Sequence, residues 1–492
     1  MIRVIVWLAA MLVCLASCTD SSRYVLALPE NAAWVSSVDV WNISQKAGLN
    51  AEKGRAMAEN LKAMLGSGLD GSERLIDRIV ENPAESGLDL RDKVYFFVSE
   101  RAVAAGILVR IADKGKLRDL IEAFGRQNLC SPMQDSNGCE WTIMGQTLVA
   151  CSDAALLVMK PLQKNSPEDL QRQAAMLLRQ KEGEGFTSTP DYRKLAEAAG
   201  DVVSVASLEL LPDRYLTVLT MGMSAELRPE HVKALSVLRF EDGRAVMDIQ
   251  ALVADKVVNA LVEKQLEAGS SVKGTYLDKF PSSAGLWMAV NADGGKVFAL
   301  LNENPTLRRQ FETSMIPVDF EAIFGAVCGD VALVMPDPLH SKAFIAYADV
   351  TNRNFLHTFE SLKPMLALTG GQMKLIDKGE DAYEFRAADA SVLNLGRGPA
   401  AFWFGVRDNR FYITNREELI DKKVLGWSLR DAEWGSRVEG KRFFAAANLS
   451  QVMGGMDYMT VESADGRNAV VEVVMKDRRT NILQQLLQAV GF

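Results

Sequence analysis

Short apolar runs, many of them alternating with polar residues, follow one another from Tyr24 onward and are separated by turns rich in Gly, Asn and Asp. Trp34–Val40 reads as an extended segment entered through Leu28-Pro29, and Leu286–Ala292 reads the same way after Phe280-Pro281. Val94–Val98 and Ala105–Ala112 read as buried strands. They lead to a helix with Leu117, Leu120, Ile121 and Phe124 on one face and Gly125 as its C-terminal stop. In the same order further on, Val331–Val334 and Ala343–Val350 lead to Phe355, Phe359 and Leu362 at matching helical offsets. Two hairpins come next. Trp141–Met144 turns at Gly145-Gln146 into Thr147–Ala150, and Ala401–Val406 turns through Arg407–Arg410 into Phe411–Thr414. Last in each series comes strand, Asp-Gly turn, strand, helix: Val237–Val253 before Val257, Val258, Leu261 and Val262, and Val461–Met475 before Ile482, Leu483, Leu486 and Leu487. The repeated Asp-Gly-Arg of these units is turn chemistry, not a recognition motif.

This ordered recurrence predicts two tandem homologous halves, residues 24–268 and 276–492, joined near Ala268–Ser271. Further amphipathic helices are expected at Met57–Met64 and Leu75–Val80. Paired hairpins between helices define the α+β class: largely antiparallel sheets with helices packed on one face. A doubled fold of this kind offers the groove between its halves as the natural place for a ligand.

Ahead of this body, Arg3 precedes an apolar stretch from Val4 to about Leu15, too short for the roughly 20 residues of a membrane-spanning helix. The closing Leu15-Ala16-Ser17-Cys18 resembles the lipobox of bacterial lipoproteins, in which small residues fit the peptidase and the cysteine thiol accepts a diacylglycerol. Residues 1–17 are therefore expected to be a signal peptide and 18–23 a tether lipidated at Cys18. Membrane contact then runs through the lipid. The resemblance also bears on sorting: Asp directly after the cysteine favours the inner membrane, and Thr19 stands there instead. An outer-membrane protein facing the periplasm, in preference to the cell surface, is expected.

Composition narrows the partners. The chain carries 55 Lys+Arg against 63 Asp+Glu, a net charge of −8. An acidic body with no basic block is not expected to bind nucleic acid, where phosphate neutralisation dominates affinity. A hydrophobic content of 48% is that of a folded protein. Beyond Cys14 and Cys18 the cysteines are Cys130, Cys139, Cys151 and Cys328. Their spacing from one another and from His231, His340 and His357 fits no zinc motif. Cys130 and Cys139 flank a turn-rich loop and form the candidate disulfide; unlinked thiols packed in strands are the alternative.

The order of these pieces resembles a Bacteroidota lipoprotein family catalogued as domain of unknown function 4836. The lipobox, the Tyr24-x-x-x-Leu28-Pro29 segment before Ser37-Val38-Asp39-Val40, and the later strand–turn–strand units carry the likeness. It implies an envelope location and no catalytic or binding residues.

Catalytic signatures are wanting. Gly66–Gly71 matches a dinucleotide pattern but follows a helix instead of a strand, and reads as a helix–helix turn. Ser270-x-x-Lys273 has the spacing of a serine–lysine pair but falls in the linker without companion motifs. The three histidines read as surface residues. Outside the leader, the tryptophans Trp34, Trp41, Trp141, Trp287, Trp403, Trp427 and Trp434 could stack on sugars if exposed in a row, yet most lie in apolar strand runs that suit core packing. The expected function is a lipid-anchored, non-enzymatic protein that binds an envelope protein or polymer, with no cofactor and no metal. The alternatives are a hydrolase using paired carboxylates, which need no short motif, and a glycan-binding lipoprotein.

Overall fold

Alternation of apolar and polar residues produces strands wherever a turn residue can reverse the chain, and this protein is built on that rule. The computed structural model describes residues 23–49, 79, 82–100, 103–136, 139–163, 166–211, 232–253, 255–312, 318–393, 397–421, 424, 426–452 and 454–489. Cys18, His231, the Gly66–Gly71 string and the helices expected at 57–64 and, residue 79 apart, at 75–80 lie outside them. The chain forms two compact units. One comprises residues 1–210, 233–247 and 477–492, and the other residues 211–232 and 248–476.

The strands of the first series are β1 (Ala32–Val38), β2 (Val94–Ser99), β3 (Ala104–Arg110), β4 (Gln134–Ser136), β5 (Cys139–Met144), β6 (Thr147–Cys151), β7 (Ala155–Pro161), β8 (Val202–Ser207), β9 (Val232–Glu241) and β10 (Arg244–Val253). Their order is β4-β5-β6-β7-β3-β2-β1-β8-β9, every pair antiparallel. β9 turns at Asp242-Gly243 into β10, which pairs with it. The second series begins with the two-residue β11 (Gly269–Ser270), which pairs with β12 (Leu286–Asp293). It continues with β13 (Val327–Met335), β14 (Ile345–Val350), β15 (Met373–Gly379), β16 (Ala382–Ala387), β17 (Ala400–Arg407), β18 (Arg410–Thr414), β19 (Phe443–Asn448), β20 (Met456–Ser463) and β21 (Asn468–Met475). The order here is β15-β16-β17-β18-β14-β13-β12-β19-β20-β21, again antiparallel throughout. Strand for strand, the two orders correspond.

Helices enter at capped positions. α1 (Val40–Lys46) follows β1 through Asp39, whose carboxylate accepts the Asn42 N–H. α2 (Lys114–Arg126) is capped by Asp113, α3 (Pro167–Leu177) by Ser166, and α4 (Pro190–Glu197) by Thr189. Such caps each contribute about 1 kcal/mol. In the second series α5 (Lys256–Glu267) precedes β11, and α6 (Gly294–Glu303) follows β12 through Asp293. The C-terminal helix is Ile482–Ala489.

Two expectations are corrected in detail. α2 runs through Gly125 to Arg126, and the left-handed residue that ends the turn is Asn128, at φ 57°. The segment with Phe355, Phe359 and Leu362 is a 3-10 turn (Asn354–Leu356) and two short helices (His357–Glu360 and Lys363–Ala367), because Pro364 can occupy only the first turn of a helix.

Helices on a single face are also corrected. On β6, Val149 and Cys151 pack with Leu117, Ile121 and Phe124 of α2. Leu148 and Ala150, with opposite parity, line a cavity with Ala174 and Ala175 of α3. Successive strand residues point to opposite faces, so helices cover both faces of this hairpin. The core of the second series centres on Trp287, stacked on Trp434 at 5.8 Å and tilted against Phe444 at 6.1 Å. All three rings are buried.

Candidate functional site

The connection from β7 to β8 builds a groove in the first unit. Ser166 accepts the Asp169 N–H at 3.1 Å, and Pro167 takes the first helical position, where its missing N–H is no loss. Leu170, Ala174 and Leu177 then recur on one face and are buried. Leu170 and Pro167 form one wall of a groove of about 510 Å³. Ile143 and Leu148, cross-strand partners on β5 and β6, form its floor, with Pro161 and Leu162 from the end of β7. Gly145, Gln146, Gln163 and Ser166 complete the lining. Every described lining residue is uncharged. Leu162 is 50% exposed at the rim, a large apolar side chain left to water. A smaller cavity of about 140 Å³ shares Leu148 and runs along α3 past Trp141, Ala150 and Ala174. Glu168 and Asp169 in the first turn of α3 offset its positive end, so this terminus does not present itself to anions.

The corresponding connection from β18 to β19 has no long helix among its described residues. It runs through 3-10 turns at Glu417–Leu419, Leu429–Asp431 and Gly435–Arg437. The stretch from Trp427 to Trp434, with Ser282, Ala284 and the ends of β19 and β20, lines a pocket of about 200 Å³ that includes Trp427, Trp434, Tyr458 and Asn448. Its charged lining residues are Asp431, Glu433 and Asp457. Asp431 accepts the Ser428 N–H at 2.9 Å and its hydroxyl at 3.0 Å. These bonds hold its carboxyl below the usual carboxylate range.

Buried carboxylates elsewhere brace the fold. Asp201, 1% exposed, accepts from Lys46 Nζ at 2.7 Å and from Phe240 N at 2.7 Å. Asp330, equally buried, accepts the backbone N–H groups of Lys273 and Thr275 and the Asn291 amide, at 2.9–3.0 Å. Its neighbour Asp349 accepts from Tyr276 Oη at 2.7 Å and from the Asp330 N–H at 3.0 Å. Burial, then the Asp349 carboxylate, pushes the Tyr276 hydroxyl well above the usual phenol range. Gly329 lies beside this pair at φ 138°, where an added Cβ would stand 2.7 Å from an Asp349 oxygen. Close carboxylates do occur here, but the oxygens of Asp330 serve the loop that follows β11.

The residues singled out in the sequence do not converge. Cys130 packs on the α2 side and donates to the Ile121 carbonyl at 3.6 Å; Cys139 lines the cavity on the α3 side. The two thiols are buried, unbridged and served by opposite faces of the hairpin sheet, which corrects the candidate disulfide. Cys151 is a buried free thiol pushed up to about 11, chiefly by burial and then by Glu140, and Cys328 is exposed. The Ser270 hydroxyl donates to Asn291 at 2.7 Å, while Lys273 uses its backbone N–H on Asp330, so no serine–lysine pair forms. His340 is exposed and 3.0 Å from Asp337; His357 opens a short helix and is exposed. No row of indoles assembles among the described residues. Trp287 and Trp434 are buried, Trp34, Trp141 and Trp403 half-buried, and only Trp41 and Trp427 exposed, one in each unit. Sequence reasoning missed the β7–β8 groove, although Ser166-Pro167-Glu168-Asp169 before spaced Leu170, Ala174 and Leu177 is a readable helix start.

These elements define a protein of helices mixed with antiparallel sheet. The chain belongs to the family described as domain of unknown function DUF4836, whose sequence profile matches residues 24–475. Among solved structures, crystal form IV of TP0453 is 12% identical with a TM-score of 0.27, covering 46% of this chain and 79% of that one. Crystal form I of TP0453 is 13% identical with a TM-score of 0.26, covering 50% and 87%. A DnaN sliding clamp from Pseudomonas aeruginosa bound to griselimycin is 10% identical with a TM-score of 0.09, covering 78% and 88%. No curated protein matches the sequence.

Proposed function

We propose that this protein is a lipid-anchored component of the cell envelope that binds an uncharged, largely apolar ligand in the groove beneath α3 and catalyses no reaction. The observation that carries the reading is the groove itself: about 510 Å³, walled by Leu and Pro side chains, with neutral amides and a serine as the described side-chain groups that can hydrogen-bond. Small-molecule sites fall in the range of about 300–1,000 Å³ and are mostly apolar with a few placed polar groups. Each methylene buried there contributes about 0.8 kcal/mol. A charged ligand would lose its hydration with no counter-charge among the described lining residues to replace it. An acyl or isoprenoid-like chain fits these terms.

The anchor is Cys18, and the location is the periplasmic face of the outer membrane. Support comes from the Leu15-Ala16-Ser17-Cys18 sequence, with Thr19 after it. Among the described residues no helix is long and apolar enough to cross a membrane. The body reads as a duplication over 24–268 and 276–492, supported by the correspondence of the two strand orders. Metabolic labelling with a fatty acid tests the anchor, because Cys18→Ala should abolish both labelling and membrane retention.

For the groove, the probe is N-phenyl-1-naphthylamine, an uncharged apolar fluorophore. Wild-type protein should bind it saturably. Leu162→Asp, which sets a charge at an already exposed rim position, should weaken binding at least about tenfold, the effect of 1.4 kcal/mol, with unchanged thermal stability. Equal binding by both proteins would refute the site.

A further inference from the structure

We propose that the Trp427 pocket of the second unit is a saccharide-binding subsite that takes one neutral pyranose ring against the exposed indole. Trp427 is 75% exposed, although burying so large an aromatic ring would contribute several kcal/mol. Its exposure is not that of a loose loop. The Trp427 carbonyl accepts the Ser282 N–H at 2.9 Å. The next residue, Ser428, is held by Asp431, and Leu429, 0% exposed, donates its N–H to the Phe280 carbonyl at 2.9 Å. Arg430 fixes the turn further by donating to Asp278 and Glu439. The backbone is pinned at each of these steps while the indole stands in solvent beside a cavity of about 200 Å³. A fixed, solvated aromatic face beside a concavity is a stacking surface.

The rest of the lining selects what stacks there. Asp431 and Asp457 come from separate elements and supply carboxylate oxygens, which accept hydrogen bonds and donate none. Asn448 adds an amide whose oxygen is taken by Ser450, leaving its NH2 as the donor end. Among the described residues no Lys or Arg lines the pocket, so the described lining offers an anionic ligand no counter-charge. A pyranose presents an apolar C–H face to an indole and hydroxyl donors at its edge to carboxylates. An organic cation is the competing occupant, since aromatic faces and carboxylates also attract ammonium groups, and the test separates the two.

The full-length protein in detergent is titrated with the methyl glycosides of glucose, galactose, mannose and N-acetylglucosamine, and separately with spermidine, reading tryptophan fluorescence and ligand-observed NMR. The expected result is saturable binding of at least one glycoside, with Kd on the order of 1 mM as for a single weak subsite, and no change when salt is raised. Trp427→Ala should weaken that binding at least about tenfold. Trp427→Phe, which keeps a ring, should recover part of it, and this pair separates stacking from misfolding. N-phenyl-1-naphthylamine binding should be unchanged in both variants, so failure here is distinguishable from failure of the α3 groove. The proposal is overturned if none of the four glycosides binds, if Trp427→Ala binds as wild type does, or if spermidine binds in their place with an affinity that falls as salt rises.

Discussion

The β7–β8 and β18–β19 connections occupy the same step of two corresponding strand orders, yet they build concavities of opposite character. In the first, a serine cap, a proline at the first helical position and apolar residues at helical spacing produce α3 and an uncharged groove beside it. In the second, the chain is broken into 3-10 turns and leaves an indole and carboxylates around a smaller pocket. The sheet sets where a cavity can open, and the connection sets its chemistry. Function carried on connections over a rigid scaffold is the general pattern. The ligands proposed for the two units differ for this reason.

Destabilising α3 should break the comparison most strongly. Leu177, 2% exposed, anchors the last turn of the helix, and Leu177→Ala should cost about 3 kcal/mol by leaving a cavity. Hydrogen exchange should show loss of protection in residues 139–177 and weaker naphthylamine binding, with glycoside binding at Trp427 retained. Asp330→Asn should cost about 2–3 kcal/mol by opposing an NH2 group to the Lys273 and Thr275 N–H donors. Its signature is faster exchange at those two amides. Ser428→Ala removes the cap beside Trp427 and should cost about 1 kcal/mol, read as weaker glycoside binding with the groove untouched.

Smaller effects concern the thiols. Because burial raises the Cys151 pKa from 9.0 to about 11, the folded state keeps its proton where the unfolded state releases it. The stability this contributes is present in full below pH 9 and declines as pH rises through about 11. Cys151→Ala should flatten that decline in an alkaline denaturation series. At neutral pH, maleimide should label Cys328 in the native protein and reach Cys130, Cys139 and Cys151 only after unfolding.

Legibility in the sequence followed locality. The hairpin turns were readable because their backbones demand particular residues: Gly145 at φ 62°, and Asp408 and Asn409 at φ 52° and 56°. The recurrence of Asp-Gly turns before strands and helices was readable for the same reason. Two shifts appeared between the series. The Trp141–Ala150 hairpin, β5–β6, corresponds in strand order to β16–β17, one strand before the β17–β18 hairpin that the sequence sets against it. The helix after β1 is capped by Asp39, but the one after β12 is capped by Asp293, two residues beyond Asn291, which stands opposite Asp39 when Leu286–Ala292 is laid on Trp34–Val40. A displacement of two keeps each side chain on its own face of the sheet, so periodicity could not reveal it. The candidate sites were hidden for a different reason. Ile143, Leu148 and Leu170 belong to three elements and Leu162 to the loop after β7, and only antiparallel pairing and the packing of α3 bring them together. Likewise, Trp427 is separated in sequence from Asn448 and Asp457, and nothing local distinguishes it from a core indole.

The most direct measurement is photocrosslinking of a diazirine-bearing long-chain alcohol to the lipidated protein in membranes, followed by peptide mapping. Crosslinks concentrated in residues 141–148 and 161–170, and lost in Leu162→Asp, are the result expected of a ligand seated beneath α3. Crosslinks spread evenly over the surface, or unchanged by that substitution, would contradict it.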